Sequence, residues 1–357
     1  MTFSADYFSA RERFRRAASQ LGCRVESTVV RARGPGAEEL TVDAALAGDV
    51  DAGRALVLTS GLHGIEGFFG SAVLCALLEQ DLSGTLGHRG IRVVLVHGLN
   101  PFGFSRLRRA GEQNVDLNRN FLLTGESYAG SPPIYRKLDP WLNPRRPPRA
   151  GDMVVPRMLW SAVRLGIPVL KEAVAGGQYD FPHGLFYGGA GPAEPRQLLE
   201  SSLGRWIGNA SQVLHLDFHT GLGRWATYKL LTDGPVSATQ LAWLRNSLGA
   251  GFIKESSPAG VSYTTRGGLG RWCAANFAGL NYTYLCAEFG TYPLWQMLAG
   301  LRAENQAHHW AMPESEIARR TKTRLKELFC PQSPAWRRQT INQALRLIRA
   351  AMQALAP

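Results

Sequence analysis

Cysteine is scarce in this chain. Five occur in 357 residues (Cys23, Cys75, Cys273, Cys286 and Cys330), an odd number, widely spaced and with no C-x-x-C pair. That argues against a disulfide framework and a cysteine-ligated zinc site, and it fits a reducing cytoplasm. Lysine is scarcer still relative to its partner cation: only 6 of the 40 basic residues are Lys and 34 are Arg. Long apolar runs are missing. No window approaches about 18 apolar residues free of charge or breaker, which excludes a membrane-spanning helix. The opening segment Met1–Arg16 carries six charges and lacks the apolar core of a secretory signal. Continuous basic tracts are absent too. The net charge is +12, yet the arginines fall in small scattered groups, and no helix-turn-helix, zinc-finger or RNA-binding signature is legible. The partners expected are therefore neither nucleic acid nor membrane but a small anionic substrate.

Apolar residues at 45% and charged residues at 19% suit a globular chain with a sizeable core. Ala10–Leu21 reads as an amphipathic helix and Leu40–Leu46 as a weakly alternating edge strand. Ala55–Thr59 is a short buried strand running into Ser60-Gly61, Gly67–Gln80 has a helical apolar face, and Ile91–Val96 is a second buried strand. This is a βαβ rhythm, in which sites lie beyond the strand ends. The rhythm returns at Val213–Phe218, Tyr228–Leu231 and Tyr282–Ala287. Two proline- and glycine-rich stretches, 124–151 and 176–195, read as inserted irregular loops. The tail after Pro313 is helical in pattern, broken near Pro331–Pro334. Without internal repeats, residues 1–357 read as one domain with inserted loops.

Four places carry chemistry. His63-Gly-Ile-Glu66 follows the strand Ala55–Ser60; histidine and glutamate three apart can turn toward one point, and imidazole nitrogen with carboxylate oxygen suits zinc. His219 ends the strand Val213–Phe218, and a third ligand from so distant a position would leave one coordination site open. Asn100-Pro-Phe-Gly103 precedes Asn114-Val-Asp116-Leu-Asn118-Arg119-Asn-Phe121. Glu288 ends the strand Tyr282–Ala287. Singly each is weak. His88, His97, His183, His215, His308 and His309 compete as ligands, and His215 shares a strand face with His219. His219 is favoured because it lies at the strand's exit.

In this order, H-x-x-E, N-P-x-G, D-L-N-R-N-F, strand-end His and strand-end Glu, the chain resembles the M14 zinc carboxypeptidase superfamily. It resembles in particular the bacterial DUF2817 branch, with succinylglutamate desuccinylase and aspartoacylase as more distant relatives. The motifs span Ala55 to Glu288. The resemblance implies a three-layer α/β/α fold around a twisted mixed, mostly parallel sheet, holding one Zn²⁺. It makes His63, Glu66 and His219 the metal ligands and Asp116 the carboxylate orienting His63. Glu288 becomes the general base. Asn118 and Arg119 become the grip on a substrate carboxylate, where a planar guanidinium bonds two-pronged. An upstream arginine polarises the scissile carbonyl in the family; of Arg106, Arg108 and Arg109 we expect Arg109. Tyr263, ahead of Arg266-Gly-Gly, matches a substrate-covering tyrosine, and the side-chain-selecting position falls near Gly270.

The activity implied is hydrolysis of an amide beside a carboxylate, in a small peptide or an N-acyl amino acid. The shared motifs do not separate a carboxypeptidase from a deacylase of the desuccinylase or aspartoacylase kind. The tyrosine tilts the expectation toward the carboxypeptidase. A non-catalytic binding protein of the same fold is the competing class, distinguished by metal content.

Overall fold

The computed structural model describes residues 3–80, 90–149, 151–234, 236–254 and 266–356. Among the described residues, eight strands form one sheet: β1 (Arg24–Arg33), β2 (Glu39–Ala47), β3 (Arg54–Ser60), β4 (Ile91–His97), β5 (Gln212–Gly221), β6 (Tyr228–Thr232), β7 (Ile253–Lys254) and β8 (Asn281–Gly290). Their order across the sheet is β1-β2-β4-β3-β5-β8-β6-β7. The centre β4-β3-β5-β8 is parallel. The β1-β2, β2-β4 and β6-β8 pairs are antiparallel, and β6-β7 is parallel. The sheet is thus mixed and mostly parallel.

The central strands read as unbroken apolar runs because both faces are covered. On one face Leu56, Leu58, Leu214, Leu216 and Leu285 pack with the helices Gly67–Gln80, Ala238–Leu248 and Pro334–Leu355. On the other, Val57, Val94 and Val213 pack with Glu194–Ile207, Leu269–Asn276, Leu294–Trp310 and Glu316–Phe329. The result is an α/β/α sandwich. The last helix starts with Pro334 in its first turn behind the cap Ser333, and buried Trp336 donates its indole N–H to Gly290 O at 2.9 Å. The C-terminal tail is therefore fastened to the exit of β8.

Two expectations need correction. Leu40–Leu46 is not an edge strand: β2 lies between β1 and β4. Its outer neighbour β1 is mostly solvated and so shows no apolar alternation. The stretch 124–151 is not wholly irregular, since it contains the helix Pro133–Leu142, whose Pro133 lies in the first turn where its missing N–H costs nothing.

From β3 the chain moves to β4 on one side and later to β5 on the other. This reversal opens a crevice beyond the C-terminal ends of β3 and β5, where ligands bind in open α/β sheets.

Candidate metal centre

The crevice is lined by the turn that leaves β3. Gly61 takes φ +74, and His63 leads into the short 3₁₀ turn Gly64–Glu66. This turn lies flat on the next strand's exit: Asn100 N–H bonds Gly61 O at 2.8 Å, Gly64 N–H bonds Arg109 O at 3.1 Å, and Ile65 N–H bonds Arg108 O at 2.8 Å. A Cβ on Gly64 would run into the backbone of Gly103. The N-P-x-G motif thereby acquires a reason. The Asn100 side chain accepts from Gly103 N–H at 2.9 Å and donates to Arg109 O at 3.2 Å, shaping a surface on which the H-x-x-E turn rests.

His63, Glu66 and His219 converge, all buried, with ligand atoms within 4.8 Å of one another. His63 Nδ1 lies 2.9 Å from Glu66 Oε1 and 3.2 Å from His219 Nδ1, and His219 Nδ1 lies 3.0 Å from Glu66 Oε2. Glu66 Oε2 also accepts the Thr220 N–H at 3.0 Å. Burial alone would raise the Glu66 pKa, but the two histidines beside it hold it below the usual carboxylate range.

Each ring is held from behind. His219 Nε2 faces Asp217 Oδ2 at 2.6 Å. Asp217 also accepts from Thr59 Oγ1 at 2.6 Å and from the Tyr284 hydroxyl at 2.9 Å. The strand register explains the trio, since Thr59 lies opposite Asp217 on β3-β5 and Cys286 opposite Asp217 on β5-β8. Burial disfavours a charged His219 ring, but Asp217 and Glu66 override it and raise its pKa well above the ordinary value. His63 Nε2 lies 3.3 Å from Asp116 Oδ1. Asp116 is itself fixed by accepting Asn118 N–H at 3.0 Å. Against the penalty of burial, Arg109, His63 and Arg119 keep Asp116 ionised.

Glu288 stands directly opposite His219 across β5-β8. Its Oε1 accepts the Leu222 N–H at 2.8 Å. Burial first, then the negative charge of Glu66, push its pKa up to about 7. A group poised there can take and return a proton near neutrality. His219, Cys286 and Glu288 form a second, overlapping donor group, though burial pushes the Cys286 thiol well up and disfavours the thiolate a metal needs.

Of the three upstream arginines, Arg109 is the one that reaches the cluster. It lies 3.1 Å from Glu66 Oε1, 3.2 Å from Asp116 Oδ2 and 2.7 Å from His63 Nε2. Arg108 is buried and bonded to Glu304 at 2.8 Å and Asn114 at 2.9 Å. Arg106 reaches the carbonyls of Arg33 and Gly34. Arg119 is buried beside Gly177, where a Cβ would meet its Cδ, and donates to Asn118 O at 2.6 Å. Asn118 Oδ1 accepts from Leu269 N–H at 3.1 Å, tying this motif to the Gly267-Gly268 turn. Tyr263 and His88 lie outside the described residues.

The competing histidines sit elsewhere. His215, two strand repeats below His219, is enclosed by Thr59 and the Tyr282 hydroxyl, each 2.9 Å away. His97 stacks on Phe14 with 4.8 Å between ring centroids. His183, His308 and His309 pack on one another. Beside Gly270, Arg266 is engaged with the carbonyls of Ser127 and Ala129 and Arg271 with Glu126 at 2.8 Å, while Asp233 accepts the Gly270 N–H at 3.0 Å.

Sequence reading missed two features. Asp217 is one, although its place two residues before His219 puts both on one strand face. Phe186 carried no signal. It takes φ +58, an uncommon backbone for a bulky residue, and its ring lies under both Arg109 (5.5 Å) and Arg119 (5.9 Å).

A family model described as "Protein of unknown function (DUF2817)" matches residues 3–343. The chain belongs to the DUF2817 family. The match extends well beyond the Ala55–Glu288 span of the motifs, taking in β1, β2 and the first part of the C-terminal helix. No curated protein matches. Among solved structures, carboxypeptidase A from Helicoverpa armigera is similar at 12% identity and TM-score 0.50, covering 90% of this chain and 73% of that one. That likeness shows a carboxypeptidase-like fold. Bovine thrombin-activatable fibrinolysis inhibitor, in complex with tick carboxypeptidase inhibitor, is similar at 14% identity and TM-score 0.48, covering 97% and 98%. Murein-tripeptide amidase from Escherichia coli O157 is similar at 18% identity and TM-score 0.37, covering 84% and 91%. Among the described residues, no helix is long and apolar enough to cross a membrane.

Proposed function

We propose that this DUF2817 chain is a zinc-dependent amide hydrolase of the carboxypeptidase type, cutting an amide beside a substrate carboxylate. The observation that carries the reading is the meeting of two imidazole Nδ1 atoms and one carboxylate, with Glu288 beside them. The donor set fits zinc. Ligand atoms about 2.0–2.1 Å from a tetrahedral centre lie about 3.3 Å apart, and the three contacts observed are 2.9, 3.2 and 3.0 Å. The charge fits as well: Glu66, Asp116, Asp217 and Glu288 are all buried around a cluster whose nearest fixed cation is Arg109.

His63 Nδ1, Glu66 and His219 Nδ1 would hold the ion. Bound there, it polarises a carbonyl oxygen and makes water a nucleophile near neutral pH. Asp217 holds the proton of His219 on Nε2, leaving the Nδ1 lone pair for the metal. His63 Nε2 has two neighbours: it donates to Asp116 or accepts from Arg109. Only the first leaves Nδ1 free as a ligand, so a loaded site disengages Arg109 from that nitrogen. The guanidinium stays anchored on Glu66 and Asp116 and supplies a positive charge where oxyanion charge develops. Glu288, with Oε1 steadied by Leu222, takes the proton of the attacking water and returns it to the leaving nitrogen. Asn118 and Arg119 bind the substrate carboxylate, with Phe186 beneath both arginines as a flat apolar support. Tyr263 is proposed to cover the substrate.

The test is hydrolysis of dipeptides and N-acyl amino acids by zinc-loaded protein, beside Glu288→Gln. Turnover by the parent and a loss of about 10²–10⁴-fold in the variant, with zinc retained, is the expected result. Normal turnover in Glu288→Gln removes the base from the mechanism. A preference for N-acyl amino acids over dipeptides assigns the deacylase chemistry; zinc-free, inactive protein assigns the binding role.

A further inference from the structure

Five of the thirteen exposed large apolar side chains among the described residues fall within 17 positions: Met153, Leu159, Trp160, Val163 and Val169. Four of them belong to the helix Val154–Leu165 or the residue before it, and Val169 belongs to the next helix, Ile167–Ala175. At about 100° per residue, Met153, Pro156, Leu159, Trp160 and Val163 share one arc of about 120°. Ser161, a buried residue of this helix, faces elsewhere. Val163 is 83% exposed and Trp160 64%, so this face is turned fully outward. Scattered exposed apolar residues are ordinary, whereas a continuous apolar arc marks an interaction surface.

The charges around the arc say what covers it. Arg157 and Arg164 lie on the same helix at one edge of the apolar arc, and both are exposed. Arg145 and Arg149, also exposed, lie on the segment that leads into the helix, where Asp152 N–H bonds Arg149 O at 3.1 Å in a turn. The nearby Asp152 is neutralised by Arg146 and Arg302, leaving Glu172 as the exposed acid of this helix pair. An apolar stripe holding a tryptophan and edged by arginine is the pattern of a helix lying in an anionic bilayer surface. A second copy of this chain would bring the same arginines against one another, on a molecule already carrying +12. We propose that the helix pair Val154–Ala175 docks reversibly on an anionic lipid surface through this face. The absence of a spanning segment is no obstacle, because such a helix lies in the interface plane. Docking does not rest on the hydrolase reading, although Gly177, just beyond the second helix, packs against Arg119 and so joins the end of the helix pair to the proposed substrate grip.

The test is co-sedimentation of the full-length chain with phosphatidylcholine vesicles, with and without phosphatidylglycerol, at low salt and at about 1 M salt, where the Debye length is about 3 Å. The expected result is binding to the anionic vesicles that salt weakens. Trp160→Glu with Val163→Glu should weaken it at least about tenfold, and Arg157→Gln and Arg164→Gln about fivefold each. All these positions are exposed, and unchanged thermal unfolding shows the variants intact. No binding to anionic vesicles, or binding indifferent to the Trp160→Glu/Val163→Glu pair, overturns the proposal. A concentration-dependent dimer in analytical centrifugation that this pair abolishes, without vesicle binding, overturns it in favour of self-association.

Discussion

Asp217 gives the sharpest separation between holding the fold and tuning the proposed metal. Its carboxylate is fully buried and accepts from His219 Nε2, Thr59 Oγ1 and the Tyr284 hydroxyl at 2.6, 2.6 and 2.9 Å. Asp217→Asn has a satisfactory arrangement available. The amide oxygen takes the position of Oδ2, still accepting from His219 and Tyr284. The amide NH₂ takes the position of Oδ1 and donates to Thr59, which then turns its own proton to His215 Nε2, 2.9 Å away. The tautomer survives and the negative charge is lost. Zinc affinity should fall about 10–100-fold, while the apo protein loses about 1–2 kcal/mol, the difference between a charge-assisted and a neutral bond. Asp217→Ala has no such arrangement. It strands three buried polar groups at about 1–3 kcal/mol each, and even with sub-additivity between neighbours the loss approaches the total stability of an ordinary domain. Competition against a chromophoric chelator measures the affinity, and thermal unfolding of apo protein measures the stability. Unchanged zinc affinity in Asp217→Asn, in a folded protein, would refute the argument that this carboxylate sets the basicity of His219.

Other perturbations follow from the same geometry. Burial, opposed only partly by the charge of Asp43, depresses the His97 pKa to about 4, below the 6.5 of the unfolded chain. Between those values the unfolded state binds a proton that the folded state refuses. The contribution is present above about pH 6.5 and lost as pH falls toward 4, about 3 kcal/mol in all. His97→Phe should flatten the stability–pH slope in that window by up to about 1.4 kcal/mol per unit, measured by denaturant unfolding; an unaltered slope rules out a neutral buried His97. Gly64→Ala forces the H-x-x-E turn away from Gly103. Unfolding and chelator titration should show about 2 kcal/mol of lost stability together with weaker zinc binding, and parent-like values would contradict the contact. Phe186→Gly relieves the left-handed backbone, by about 1–2 kcal/mol, but removes two cation–π contacts of about 0.5–1 kcal/mol each and the packing of a half-buried ring against the core, about 1–2 kcal/mol more. Stability should fall by about 1–2 kcal/mol while KM for a carboxylate-bearing substrate rises; an unaltered KM removes Phe186 from the substrate grip. Because a general base must be ionised, kcat/KM should fall tenfold per unit on the acid side of the Glu288 pKa. That pKa lies below about 7 once a cation offsets the Glu66 charge that helps raise it. A flat acid limb would exclude Glu288 as the titrating base.

The elements legible in sequence are those whose burial is uniform. Gly67–Gln80, β3 and β4 are apolar over almost their whole length, so period and boundary coincide. β1 escaped because most of its residues are solvated or half-buried, and a strand without a buried face has no alternation to read. Its omission then misplaced β2 at the edge. At the site, ordered motifs singled out His63, Glu66, His219 and Glu288 because each ends a strand or opens the turn after it. Asp217 was legible only in its place two residues before His219, while Tyr284 was hidden because its role arises from cross-strand register, which sequence does not state. Phe186 was hidden because a loop of glycines and prolines carries no period, and what holds its ring under two arginines is tertiary.

The central claim is that His63, Glu66 and His219 share one divalent ion. Zinc titration of metal-stripped parent, His63→Ala and His219→Ala, each checked for folding by circular dichroism, tests it most directly. The expected result is one tightly bound zinc per parent chain and loss of that binding in both variants. Stoichiometric, parent-like zinc affinity in either folded variant would contradict the ligand set and the mechanism built on it.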